Sequence, residues 1–172
     1  LWAVVSANVT AWSSAGALLR DAAADALLLQ EHHIVGSDTC ALVESASAYR
    51  RWRLSLQPAV ATSARGTSAG VGVAVARYTG LARCPGMPSS TDMGSRVQVR
   101  HWGAVCPGGL HLLTVYLYDG EGLSRRNLDI LQELAFIIGR LRGPWICGGD
   151  FNLTPEELVQ SNWSQLVDGV PV

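Results

Sequence analysis

The sequence predicts an α/β protein, on three observations. Apolar runs of strand length recur along the chain, stretches with apolar residues at helical spacing lie between them, and several runs stop abruptly on a polar or acidic side chain. The 172 residues are 48% hydrophobic, enough for a single domain with its own core and too apolar for a disordered segment. No internal repeat, low-complexity tract or linker divides them, so residues 1–172 read as one domain.

The elements follow in order. The chain opens at Leu1 without a methionine, already in an apolar segment, so its true start is expected upstream; Val4-Val5-Ser6-Ala7 then forms a strand that delivers Asn8. Ser13 and Ser14 precede Ala15 to Ala24, where Ala17, Leu18 and Ala22 keep loose helical spacing, which predicts a serine-capped helix. Ala26 to Leu29 is a strand ending in Gln30-Glu31. Residues 38 to 50 read as a second helix, Trp52 to Leu56 as a short strand, and Pro58 to Gly70 as a loop. Val71 to Ala76, Val97 to Trp102 and Leu110 to Leu117 read as a meander of antiparallel strands, with Cys106-Pro-Gly-Gly109 as a hairpin-type turn between the last two. From Leu123 to Leu141, apolar residues at 128, 131, 134, 135, 138 and 141 form a helical stripe that should lie across a sheet. Trp145 to Gly149 is a further strand, and Thr154-Pro-Glu-Glu157 is a capping box with proline at the first helical position.

Chemistry concentrates where strands end. Gly148-Gly149-Asp150-Phe151-Asn152 places a carboxylate and a carboxamide two positions apart, on one side if the extended backbone continues. Alone, this segment reads first as a turn, because Gly, Asp and Asn are the residues turns favour. A second strand that ends in an acid, at Glu31, changes the weighing, since two acids so far apart can meet only through the fold. Asn8 and Tyr116 end two more strands.

This ordered set of Asn8, Leu-Gln-Glu31, Val-Tyr116 and Gly-Asp150-Phe-Asn152 resembles the endonuclease/exonuclease/phosphatase superfamily, the DNase I-like proteins, from about Leu1 to Trp163. In style the motifs are most similar to the apurinic-type endonuclease domains of non-LTR retrotransposons. The resemblance implies a four-layer α-β-β-α sandwich, classed α/β or, in some schemes, α+β. It also implies Mg²⁺, with Mn²⁺ as an alternative, and nucleic acid as substrate. Glu31 is then the metal ligand and Asn8 supports metal and phosphate. Asp150 positions or deprotonates the attacking water, Asn152 donates to phosphoryl oxygens and Tyr116 bonds the phosphate. A hard cation suits that task because it takes one or two carboxylates and leaves room for water and phosphate oxygens. The family's later Ser-Asp-His motif does not occur in this chain. The resemblance therefore implies a fragment lacking the last part of the second sheet, with an open strand edge and very weak catalysis.

Composition sets limits. A net charge of −1 gives no basic footprint for nucleic acid, although all 13 basic residues are arginine, the side chain that grips phosphate in bidentate fashion. The four cysteines have no metal-site or disulfide spacing, which fits an intracellular setting, and no apolar run is long enough to cross a bilayer. His32 and His33 read as loop histidines, and Arg65, Arg96, Arg125 and Arg126 as candidate phosphate contacts or plain surface charges. Two other functions stay open: a phosphatase or phospholipase acting on an inositol phosphate or lipid headgroup, and a non-catalytic remnant.

Overall fold

The structure, a computed structural model, describes residues 1–48, 51–63, 66–84 and 94–169. In chain order the first elements are β1 (Val4–Asn8), α1 (Trp12–Asp21), β2 (Ala26–Gln30), α2 (Ser37–Ala48) and β3 (Trp52–Gln57). A small hairpin of β4 (Val60–Ala61) and β5 (Thr67–Ser68), then β6 (Val71–Ala76) and β7 (Leu81–Ala82), follow. The chain closes with β8 (Val97–Trp102), β9 (Leu110–Tyr116), α3 (Arg125–Ile138), β10 (Trp145–Asp150), α4 (Pro155–Gln160) and α5 (Trp163–Leu166).

The long strands sort into two sheets, ordered β1-β2-β6-β3 and β10-β9-β8-β7. Strand alternation then decides which side chain goes where. Leu27 and Leu29 of β2, with Trp52, Leu54 and Leu56 of β3, pack against Ala15 and Leu19 of α1 and Cys40 of α2. Val97 and Val99 of β8, with Leu113 and Val115 of β9, pack against the apolar stripe of α3 and Trp163 of α5. The opposite faces, Ala26, Leu28, Val73, Val75, Trp102 and Leu112, meet between the sheets. Full burial of one such Leu or Val is worth roughly 1.5–3 kcal/mol, so these three apolar layers hold the four-layer helix-sheet-sheet-helix sandwich together.

Several sequence expectations are corrected. The first helix starts at Trp12 with Ala11 as an uncapped N-terminal residue, so Ser13 and Ser14 lie inside it; packing of Trp12 against the α1 side of the core sets the start, not a serine cap. The helix stops at Asp21, because Ala22 is already extended. The three-strand meander does not form: β6 sits antiparallel between β2 and β3, and only β8 and β9 form a hairpin. The chain crosses from one sheet to the other between β6 and β7. The loop from Pro58 to Gly70 carries the β4–β5 pair, and the long helix is shorter than its apolar stripe, capped by Ser124 and ended at Gly139.

Two parallel pairs position the site. β1 runs beside β2 with Asn8 opposite Gln30, and β9 runs beside β10 with Tyr116 opposite Asp150. Just beneath these ends the sheets are stitched by Gln30, whose Nε2 donates across to Thr114 Oγ1 of β9 at 2.9 Å and, within its own sheet, to Ser6 Oγ of β1 at 3.3 Å. Gln30 is 1% exposed, so these bonds fix the sheets' relative height where the site begins. β1 and β10 each pair on one side only, and Val5 and Ile146 on them are 39% and 38% exposed.

Candidate functional site

At one end of the sandwich the tips of β1, β2, β9 and β10 bring Asn8, Glu31, Tyr116 and Asp150 together. The Asn8 amide uses both hydrogens, donating from Nδ2 to Glu31 Oε2 and to Asp150 Oδ2, each at 2.8 Å. Its oxygen accepts from the Thr10 backbone N–H at 3.1 Å, so the Asn8 side chain is fully engaged. Tyr116 Oη donates to the other Glu31 oxygen, Oε1. Burial first, and then the bond to Glu31, push the Tyr116 phenol above its ordinary range, so it stays a donor near neutral pH. Glu31 thus receives a separate donor on each oxygen.

The backbone here is held in an unusual conformation. Thr10, Glu31, His33, Ala69 and Asn152 all have positive φ without being glycine, at 53°, 58°, 59°, 65° and 46°. Such conformations cost on the order of 1–3 kcal/mol each and gather at sites where geometry is over-determined. At Glu31 the left-handed turn swings the side chain off the strand alternation towards the neighbouring sheet. At Asn152 it ends the extended run, so the expectation that alternation carries Asp150 and Asn152 together does not hold. Asn152 N–H instead donates to Asp150 Oδ1 at 3.2 Å, and its amide donates to the Leu117 carbonyl at 2.9 Å. The segment is a turn that also joins the polar cluster: the Asx turn anchors one Asp150 oxygen and leaves the other for Asn8.

The double glycine is explained by neither turn nor flexibility. Gly148 and Gly149 lie within β10. A Cβ on Gly148 would stand 2.7 Å from Leu28 Cδ1 and 3.1 Å from Ser6 Cβ across the sheet gap, and one on Gly149 would run into the Val115 carbonyl. Glycine lets the two sheets close enough for Asp150 to reach Asn8.

His32 and His33 separate as expected, although through left-handed turns at Glu31 and His33 and not through an extended backbone. His32 is fully buried: Nδ1 accepts from the Ile34 N–H at 3.1 Å, and the Nε2 side faces the Gln57 and Val71 carbonyls at 3.1 and 3.3 Å. Gly70, with φ of +90°, lies flat against this ring. His33 meets Thr67 Oγ1 at 3.0 Å. Arg96 lies beside Tyr116, Arg125 and Arg126 start α3, and Arg65 lies outside the described residues. His101 and His111 pair across β8 and β9 near the hairpin, at the far end of those strands from Tyr116.

Sequence reasoning missed Thr10, which sets the Asn8 rotamer, and the inter-sheet polar group of Ser6, Gln30 and Thr114. The signal for the latter was available, since each stands two residues before Asn8 or Tyr116, or one before Glu31, within an apolar strand.

Among the described residues neither Glu31 nor Asp150 is ion-paired, and no three His, Cys, Asp or Glu side chains cluster as a metal site. Two convergent, uncompensated carboxylates with an amide and a phenol make an oxygen-rich, anionic donor set. It suits a hard divalent cation that keeps water and substrate oxygens, and does not suit a zinc site of nitrogen and sulfur ligands.

No protein-family model and no curated protein matches the sequence. Solved structures do. The chain is similar to an AP endonuclease from Leishmania major, with TM-score 0.69 and 16% identity over 96% of this chain and 66% of that one. It is similar to a 3'-5' exonuclease from Neisseria meningitidis, with TM-score 0.62 and 19% identity over 95% and 69%. ANGEL2, described as a 2',3'-cyclic phosphatase, matches with TM-score 0.60 and 13% identity over 95% and 57%. The chain thus spans about two thirds of the first two structures and less of the third. At these identities the likeness is one of architecture, and the architecture is the DNase I-like fold.

Proposed function

We propose that this chain carries the centre of a divalent-metal-dependent phosphodiester hydrolase acting on nucleic acid, of the endonuclease type its motifs resemble. The observation that supports this most is the convergence of Glu31 and Asp150, from different sheets, on the single amide of Asn8. A bound Mg²⁺, or Mn²⁺ in its place, supplies neutralisation of charge on the phosphoryl oxygens. Glu31 would hold it, oriented from one side by Tyr116 and from the other by Asn8. Asn8 would act chiefly by positioning, because its oxygen is already taken by Thr10. Asp150, fixed through Oδ1 by the Asn152 backbone and through Oδ2 by the Asn8 amide, would accept a proton from water on a remaining carboxylate lone pair. The Asn152 amide would reach the phosphoryl group only by leaving the Leu117 carbonyl.

The test uses the 172-residue chain at high concentration with supercoiled plasmid and Mg²⁺. Slow nicking is expected, abolished by EDTA and lowered by a factor of about 10² or more in Glu31→Gln and in Asp150→Asn. Release of phosphate from an inositol phosphate without any nicking would transfer the assignment to the small-substrate phosphatases. Nicking that survives both substitutions would sink it.

A further inference from the structure

Beside the site, and not used by it, stands a row of alternating cations and rings. Tyr118 is two residues beyond Tyr116, the last residue of β9, and the guanidinium carbons of Arg96 and Arg126 each lie 3.5 Å from its ring centroid. Two planar cations that near one centroid cannot share a face, so the ring is sandwiched and the cations stand about twice that distance apart. Arg96 also lies 4.9 Å from the centroid of Tyr116, whose hydroxyl bonds Glu31. A continuous row therefore runs from the carboxylates outward: Glu31, Tyr116, Arg96, Tyr118, Arg126.

The row is built rather than incidental. Arg96 is held by donation to the Tyr116 carbonyl at 3.3 Å and to Ser68 Oγ at 3.1 Å. Tyr118 is held by Asn127, fully buried in the first turn of α3. Asn127 Oδ1 accepts from the Tyr118 N–H at 2.8 Å, and its Nδ2 donates to the Tyr118 carbonyl at 3.1 Å and to Gly122 O at 2.8 Å. Arg126 is steadied from below by Glu121 at 2.8 Å while its side chain stays 59% exposed. A lone surface arginine would bring rotamer entropy against any contact it makes, and stacking removes much of that freedom beforehand. Both faces of Tyr118 are taken, so the ring is not a platform for a base. What the row offers outward is N–H groups of two guanidinium ions at a fixed separation.

We infer that this row is a backbone track for a single nucleic-acid strand, in which Arg96 and Arg126 take successive phosphates on one side of the phosphate held at the carboxylates. The inference rests on the reading of the site as a nucleic-acid hydrolase and names how the substrate is gripped. Phosphate contacts of this kind set register without reading sequence. They favour a strand over a small monophosphate ester, which has no second phosphate to place on Arg126. The net charge of −1 is no obstacle, because a phosphate contact is decided by local charge, and Arg96 and Arg126 flank one ring.

The test is binding of a fluorescent single-stranded oligonucleotide by the 172-residue chain, in EDTA so that neither metal nor turnover enters, across a salt series. Arg126→Ala should weaken binding about fivefold or more at 50 mM salt and reduce the slope of log affinity against log salt by about 0.7, the loss of one phosphate contact. Arg140→Ala, just past the C-terminal end of α3 and stacked on the exposed Phe136 away from the row, should change neither. Tyr118→Leu should resemble Arg126→Ala although it removes no charge, since it releases both cations. Equal losses for Arg126→Ala and Arg140→Ala would reduce the effect to overall charge and overturn the track, as would unchanged binding in Arg126→Ala or no binding by the unmodified chain. Plasmid nicking with an unaffected Arg126→Ala would reject the track alone; a salt-dependent loss in Arg126→Ala without any nicking would reject the hydrolase reading alone.

Discussion

At the scale of single residues, the centre is an arrangement of donors around acids. Two carboxylates that approach each other without a cation would repel, and each oxygen facing the partner needs a proton donor. Asn8 provides one donor to each acid, and Tyr116 provides the second to Glu31. An amide is suited to the middle position because it carries two donors and no charge. Tyr116→Phe leaves the ring packed against Ala69 and Val71 and removes only the hydroxyl. Groups that orient a metal ligand in this way are typically worth 10- to 100-fold in metal affinity. The expected outcome is a loss of Mn²⁺ affinity of about tenfold or more, read by calorimetry or by the electron spin resonance of free Mn²⁺, with an unchanged melting transition. Unaltered affinity would mean that Glu31 needs no orientation from Tyr116.

At the scale of elements, the site depends on how near two sheets can come. Gly148 and Gly149 mark where β10 passes closest to β2 and β9, and the two should respond differently to a methyl group. On Gly148 the nearest atom is the tip of the Leu28 side chain, but on Gly149 it is the Val115 backbone carbonyl, which cannot turn aside without breaking the β9–β10 pair. Gly149→Ala should therefore lower the unfolding free energy by about 1–3 kcal/mol, the usual range for overpacking, and by more than Gly148→Ala, as measured by urea midpoints. A larger effect at Gly148 would contradict this account. The same glycines show what the sequence could and could not convey. The strands ending at Asn8, Gln30, Tyr116 and Asp150 were legible, because each is a largely apolar or small-residue run with a polar stop. So was the capping box at Thr154, whose reciprocal bonds to Glu157 are both present. The sheet to which β6 belongs was not, since Val71 to Ala76 is buried on both faces and carries no alternation to assign it. The two-residue strands β4, β5 and β7 are too short to leave a period, and the left-handed turns at Glu31 and Asn152 fall on residues that would also suit a strand end. The four residues that converge, Asn8, Glu31, Tyr116 and Asp150, could be named, but not the way Asn152 turns from them to the Leu117 carbonyl.

At the scale of the whole molecule, the buried His32 couples the fold to pH. Its ring joins the loop after β2 to the ends of β3 and β6: Nδ1 accepts from Ile34, while Nε2–H is directed at the carbonyls of Gln57 and Val71. Burial, partly offset by those carbonyls, lowers its pKa from 6.5 to about 4. The folded protein thus keeps this imidazole neutral where the unfolded chain would protonate it. Between pH 6.5 and 4 the unfolded state binds more protons, so stability is complete above pH 6.5 and drains as the pH falls through that window. A shift of this size corresponds to roughly 3 kcal/mol by the time both states are protonated. Glu44 opposes the trend: burial raises its carboxyl pKa, so just above pH 4.5 the folded state holds the extra proton and stability from that group declines as pH rises. The histidine effect should therefore be cleanest between pH 7 and pH 5.5, above the ordinary carboxylate range. Urea unfolding in EDTA should give a midpoint that falls steadily over that interval. His32→Gln, with an amide N–H that can meet the Gln57 carbonyl and no titrating ring, should flatten the dependence while being less stable at pH 7 because Ile34 N–H loses its acceptor. If the substituted protein keeps the full slope, another group carries the linkage, and His32 is a packing residue only.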